Sequence, residues 1–170
     1  RTRHSNHTAT GRGSRQDCPF AHSSVARGAS PSRAGWENME TFIQVERVRF
    51  EYDRHTPYSL MAVCDVSLEV PRGGHVAVLG RNGSGKSTLA RLLNALEVPD
   101  SGRVLVLGQD TADDASVWDI RRACGMVFQN PDNQIVGTTV EEDVAFGPEN
   151  IGMPRDEMRA AVDRALAHVG

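Results

Sequence analysis

Aromatic residues are scarce in this chain, 5% of 170 residues, so it has no alternation of rings and basic side chains of the kind that grips single-stranded nucleic acid. Long apolar runs are missing too: nothing approaches the roughly 18 consecutive apolar residues a membrane-spanning helix requires. The first residues are basic without an uninterrupted apolar segment, so export is not expected. Only three cysteines occur, Cys18, Cys64 and Cys124. They are too widely spaced, and odd in number, for a disulfide framework or a zinc cluster, which makes a reducing cytoplasm the expected compartment. Cys64 and Cys124 lie in apolar stretches and read as small core residues. A net charge of −3 with 39% hydrophobic residues is an ordinary globular composition, and 170 residues suffice for one domain with a core.

Charge is spread unevenly. Residues 1–38 hold six arginines against Asp17 and Glu37, a net of +4, which leaves −7 on the remainder. That segment is rich in Ser, Thr, Gly and His and has no periodic apolar pattern, so residues 1–39 are expected to form a disordered basic tail ahead of a domain spanning 40–170. Dispersed basic charge is a weak warrant for recognition, and no specific nucleic-acid partner is expected. His4, His7 and His22 lack the spacing that would chelate a metal.

What the chain does contain is GRNGSGKS at residues 80–87, a complete phosphate-binding pattern of the form G-x-x-x-x-G-K-S. A strand-like run, HVAVL, precedes it and a helix-like run, TLARLLNAL, follows. Gly80, Gly83 and Gly85 allow a tight curl in which successive N–H groups face an anion. The following helix adds the positive end of its dipole. Lys86 provides a mobile charge for the terminal phosphates, and the Ser87 hydroxyl suits the shell of a Mg²⁺ ion. A structural turn does not need Lys-Ser directly after its last glycine. The pattern therefore predicts a nucleoside triphosphate site.

Along the rest of the domain, residues 41–52 alternate as one or two strands, 53–57 form a turn, and 58–70 resume with Val66, Leu68 and Val70 alternating in a strand. Residues 71–74 turn before the loop strand; the loop helix ends before Pro99, and 100–102 turn again. Residues 103–107 read as a strand, 108–115 as polar loop, 117–123 as a short helix or turn, 125–128 (GMVF) as an apolar strand ending at Gln129, and 129–137 as loop. Thr139 with Glu142 three residues on is a capping-box pattern that starts a helix, and 157–169 is a last amphipathic helix.

Three stretches together resemble the N-terminal portion of an ATP-binding-cassette (ABC) transporter ATPase over residues 42–170: GRNGSGKSTLARLLNAL at 80–96, GMVFQNPDNQIVGTTVEEDVAFGPEN at 125–150 and IGMPRDEM at 151–158. More narrowly, they are similar to the ATPase subunits of energy-coupling-factor transporters, which serve metal-ion and vitamin uptake. The resemblance implies an α/β fold: a P-loop NTPase core, an N-terminal antiparallel β layer and the start of the ABC helical subdomain, stopping before the signature and the Walker B strand. It implies that Tyr52 stacks on adenine, while Phe50 and Tyr58 compete for that role. It also implies that Gly80, Asn82, Gly83, Ser84, Gly85, Lys86, Ser87 and Thr88 wrap the phosphates of ATP, and that Ser87 and Gln129 serve Mg²⁺. Lys86 and Gln129 are the catalytic candidates, Gln129 through the metal and the attacking water. Residues 130–134 and 141–150 correspond to the region that receives a membrane subunit, although Glu141, Glu142 and Asp143 equally suit a helix start. Implied partners are a second ATPase subunit, identical or not, a transmembrane coupling subunit and a substrate-binding membrane subunit, at the cytoplasmic face of a bacterial or archaeal plasma membrane.

No LSGG-like string and no apolar strand ending in Asp-Glu occurs, so half of the composite catalytic site and the catalytic carboxylate are missing from the sequence. The expectation is a fragment that binds nucleotide weakly without turnover and folds poorly alone. His168, on the terminal helix, reads as a surface residue. Two other classes remain open at this level: a non-transport ABC ATPase of DNA repair or ribosome function, and a non-hydrolysing fragment.

Overall fold

The structure, a computed structural model, describes Ser24–Arg27 and residues 40–170. The chain divides into two compact units, one ending at Met126 and the other Val127–Gly170. The first contains β1 (Ser24–Arg27), β2 (Thr41–Tyr52), β3 (Leu60–Pro71), β4 (Val76–Leu79), α1 (Lys86–Leu93), β5 (Ser101–Val106), β6 (Gln109–Asp110) and α2 (Val117–Ala123). The second contains a 3₁₀ turn (Pro131–Gln134), α3 (Val140–Asn150) and α4 (Arg155–Val169).

An antiparallel sheet of order β3-β2-β5-β6 carries the first unit. Its central strand solves a phase problem written in the sequence. Ile43 and Val45 fall on odd positions and Val48 and Phe50 on even ones, yet all four are buried on one core. An extra residue at Arg47, with φ 46°, resets the alternation: Val45 faces Leu68 and Val104, Val48 faces Val66, and Arg49 faces Ser101. The Arg47 N–H, displaced from the ladder, donates to Ser67 Oγ at 2.9 Å. Opposite this bulge the chain passes so close that a Cβ on Gly102 would lie 2.3 Å from the Glu46 carbonyl oxygen and 2.5 Å from that of Arg47, at a φ of +78°.

Val63, Val66 and Leu68 of β3 and Val104 and Val106 of β5 extend the apolar face, and Leu89 and Leu92 of α1 and Ile120 of α2 join the same core. Leu89 and Leu92 are 1% and 0% exposed. Burial of each is worth about 2–3 kcal/mol, and the two together fix α1, and with it the loop at its N-terminus, to the unit. In the second unit α3 and α4 pack against each other, with Val162 buried.

The α/β class with an antiparallel layer holds, and several local expectations need correction. Ser24–Arg27, inside the segment read as tail, pairs antiparallel with β4, Ser24 opposite Leu79 through Arg27 opposite Val76. Main-chain hydrogen bonds need no apolar periodicity, which is why composition missed this strand. The other tail residues lie outside the described residues. Residues 125–128 are no strand. Among the described residues no ladder includes them, and Val127 is 90% exposed, so the apolar run lacks the neighbour that would make it a strand. Ser101 and Gly102, expected as turn, begin β5, and the two-residue β6 lies within the expected polar loop. Cys64 is half-buried against the core, in line with its reading as a small core residue. Cys124 is free, and burial pushes its thiol up.

Gly102→Ala combines a left-handed backbone with a main-chain overlap and is expected to lower stability by about 2 kcal/mol or more. Denaturant unfolding checks this; a loss below about 0.5 kcal/mol would mean the bulge relaxes freely.

Candidate nucleotide site

Between β4 and α1 the chain turns through two left-handed glycines, Gly83 at φ 76° and Gly85 at φ 87°. The Ser84 N–H donates to the Arg81 carbonyl at 3.2 Å, closing the turn, and the Leu89 N–H donates to Gly85 at 2.8 Å, opening the helix. Gly85 is the N-cap and brings no capping side chain, so the first-turn N–H groups of α1 are left for an anion. A Cβ at Gly83 would meet nothing within 4 Å, so the space over the loop is open.

Lys86 folds back over this loop. Its Nζ donates to the carbonyls of Gly80 at 2.9 Å and Arg81 at 2.7 Å, with Ser84 Oγ at 3.5 Å. All three partners are neutral, and Lys86 forms no ion pair among the described residues. Among the described residues the charge is thus held in place by neutral acceptors. Ser84 and Thr88 are buried, whereas Gly80, Asn82 and Ser87 are exposed around the loop. The Gly80 and Arg81 carbonyls were not legible as partners, because main-chain acceptors leave no mark in a sequence.

Tyr52 is the last residue of β2, and the sheet delivers it to this loop. Its hydroxyl lies 3.2 Å from Thr88 Oγ1 in the first turn of α1, and its ring meets Phe50 edge-on at 4.8 Å. Of the competing aromatics, Phe50 is buried in the core and Tyr58 is 83% exposed on the following turn. The structure therefore brings Tyr52 together with residues 80–88.

Gln129 belongs to the second unit, where it is exposed. The backbone on both sides of it is tied by one side chain the sequence had not singled out. Gln134 donates through Nε2 to the carbonyls of Phe128 and Asn130, both at 3.0 Å, and accepts the Phe128 N–H at 3.3 Å. Asn130 Oδ1 also accepts the Asp132 N–H at 3.2 Å, capping the 3₁₀ turn.

The acidic run after it is built as a helix start. Thr139 caps α3 by accepting the Glu142 N–H at 3.2 Å, and Glu142 reaches back to the Thr139 N–H at 3.1 Å, the reciprocal box expected from the sequence. Glu142 also accepts from the Thr138 hydroxyl and from the Thr138 N–H at 3.0 Å, and these bonds hold its carboxyl below the ordinary value. Asp143 is lowered likewise by the N–H groups of Gly137 at 2.9 Å and Val136 at 2.7 Å. His168 is exposed, with Nδ1 3.3 Å from the Arg164 carbonyl, as a surface residue.

A strand, a glycine-curled loop whose lysine rests on main-chain carbonyls, and a helix whose N-terminus has no capping side chain define a phosphate-loop core. The model of the ABC transporter family matches residues 63–170, and the chain belongs to that family. It is 52% identical over 130 residues to the energy-coupling factor transporter ATP-binding protein EcfA1 of Clostridium novyi (strain NT), an alignment covering 76% of this chain and 46% of that protein. It is 57% identical over 134 residues to EcfA1 of Symbiobacterium thermophilum, covering 76% and 46%. Among solved structures it is similar to CbiO1 of Clostridium perfringens, part of the ABC transporter complex CbiONQ, with TM-score 0.61, 33% identity and coverage of 75% and 50%. It also resembles the ATP-binding cassette MJ0796, solved as a dimer bound to ADP and Pi in a post-hydrolysis state, with TM-score 0.58, 26% identity and coverage of 74% and 56%. The chain spans about half the length of the curated relatives it matches.

The lowered carboxyls give a pH dependence of definite sign. A group whose folded value lies below its unfolded one stabilises above the unfolded value and loses that contribution as pH falls through the folded one. The start of α3 is therefore expected to hold at neutral pH and loosen only below the ordinary carboxylate range. Carboxyl chemical shifts of Glu142 and Asp143 should titrate below those of exposed Glu and Asp residues; ordinary midpoints would contradict the capping geometry.

Proposed function

We propose that the intact protein is the ATP-binding subunit of an energy-coupling-factor type ABC importer, hydrolysing ATP to drive uptake of a metal ion or vitamin. One juxtaposition carries this reading: a Lys86 resting on neutral carbonyls in an open phosphate loop, with Tyr52 hydrogen-bonded to the helix that the loop begins. The kinship with EcfA1 proteins narrows the class of transporter.

ATP and Mg²⁺ suit the residues present, because the loop offers open space, free helix N–H groups, an ammonium on neutral partners and the exposed Ser87 hydroxyl at the start of α1. Bound there, they would supply the phosphoanhydride and the charge that offsets its oxygens. Lys86 exchanges the Gly80 and Arg81 carbonyls for phosphate oxygens, trading neutral acceptors for charged ones and so gaining binding energy. The first-turn N–H groups of α1, left without a capping side chain, orient the phosphates without reorganising, the condition under which fixed dipoles lower a barrier most. Within the first unit, the exposed Ser87 hydroxyl at the start of α1 is the group suited to the metal. The flat face of Tyr52 takes the adenine, for which a polarizable ring is a suitable partner.

A second ATPase subunit, the same or a related chain, completes the site, and a transmembrane coupling subunit with a substrate-binding subunit completes the importer. The chain then works peripherally at the cytoplasmic face of the membrane; no described helix is long and apolar enough to cross it.

Two variants test the site. Lys86→Ala in the intact protein should raise the Kd for ATP about tenfold or more, equivalent to ~1.4 kcal/mol. Tyr52→Ala should weaken ATP while sparing inorganic triphosphate, since only the base is lost. Unchanged ATP affinity in Lys86→Ala, or equal losses for both ligands in Tyr52→Ala, would contradict the assignment.

A further inference from the structure

The ladder between β2 and β5 ends at Arg49 opposite Ser101, three residues before Tyr52. Beyond that point no strand among the described residues covers this edge of β2, and a single aspartate does so instead. The Asp100 N–H donates to the Arg49 carbonyl at 2.9 Å, while its carboxylate Oδ2 accepts the Glu51 N–H at 2.7 Å. The side chain thus continues the ladder by one step, its carboxylate standing where the next carbonyl of a strand would be. Its other oxygen, Oδ1, pairs with Arg54 at 2.9 Å across the turn that follows.

Tyr52 lies between these two anchors, flanked by Glu51 and by a turn under backbone strain. Asp53 and His55 adopt left-handed conformations, with φ of 49° and 66°, that side-chain-bearing residues rarely hold without outside support. Arg54, between them, is the residue Asp100 grips. The Asp100 side chain is only 14% exposed, so this charge is well shielded for an ion pair at the rim of a sheet. Asp100 also follows α1, the helix whose first turn touches the Tyr52 hydroxyl through Thr88. The same short stretch of chain, 86–100, therefore contacts Tyr52 at its phenol end and fixes its backbone.

We propose that Asp100 is the positioning residue for Tyr52, clamping Glu51 and Arg54 so that the ring is held at the phosphate loop, and that it thereby sets the preference of the site for an adenine nucleotide over a bare polyphosphate. This rests on the reading of Tyr52 as the platform for the base. The aspartate touches neither base nor phosphate in this assignment and acts only through Tyr52.

The test is a comparison of Kd for ATP and for inorganic triphosphate in the intact protein, with Asp100→Ala, Arg54→Met, Tyr52→Ala and the double variants. Asp100→Ala should weaken ATP about threefold or more with little change for triphosphate, and neither Asp100→Ala nor Arg54→Met should add to the loss in the Tyr52→Ala background, as expected for residues acting as one unit. Arg54→Met removes only the half-exposed partner, should shift ATP in the same direction by less, and decides the matter if Asp100→Ala does not fold. Equal losses for the two ligands, or losses that persist after Tyr52→Ala, would reduce Asp100 to a structural residue and overturn the proposal. If Tyr52→Ala is selective for ATP but both clamp variants are silent, the clamp fails and the base platform stands. If Tyr52→Ala is itself unselective, both fall together.

Discussion

The seating of Leu89 and Leu92 on the antiparallel sheet is the constraint on which the rest of the first unit depends. A phosphate loop is a strained, glycine-rich turn with little packing of its own, and it keeps its shape only if the helix it leads into cannot move. Here that helix is short, Lys86–Leu93, and its two buried leucines sit against a core built from β2, β3 and β5. The sheet in turn keeps a single apolar face only because the Arg47 bulge resets the phase of β2. Gly102 is the one residue that fits opposite that bulge. A packing chain therefore runs from a bulge in the sheet to the first turn of the nucleotide helix.

Electrostatics then decide what the loop can accept. Its two left-handed glycines curl the chain ahead of an α1 N-terminus that has no capping side chain, and its lysine rests on carbonyls that hold the ammonium without neutralising it. Neutral acceptors are the weaker partners for a cation, so an anion with several oxygens displaces them at a gain. Tyr52 adds an aromatic surface at the same place, delivered by a different strand. In the proposed assignment, phosphate affinity and base affinity come from separate parts of the fold that meet at Thr88.

Much of this was legible in the sequence, for definite reasons. Residues 80–88 announce themselves because loop geometry demands glycine and the chemistry demands Lys-Ser. The end of β2 was legible because the polar residues 53–57 close it with a turn, and the capping box of α3 because a local hydrogen-bond exchange depends only on Thr139 and Glu142. Long-range main-chain pairing was not legible. β1 carries no apolar signal and is defined by its ladder with β4, whereas GMVF carries a strong signal but has no ladder. Gln134, which ties the backbone around Gln129, and the carbonyl partners of Lys86 were invisible for the same reason: their roles lie in where the backbone goes.

The central claim is that one adenine nucleotide places its phosphates on residues 80–88 and its base on Tyr52. Photolabelling of the intact protein with 8-azido-ATP, followed by tryptic mapping, tests it most directly. The account predicts that the label falls on the peptide of residues 50–54, FEYDR, and that excess ATP suppresses it while excess inorganic triphosphate does so by competing for the same loop. ATP-protected labelling confined to peptides away from Tyr52, or labelling that inorganic triphosphate leaves untouched, would contradict it.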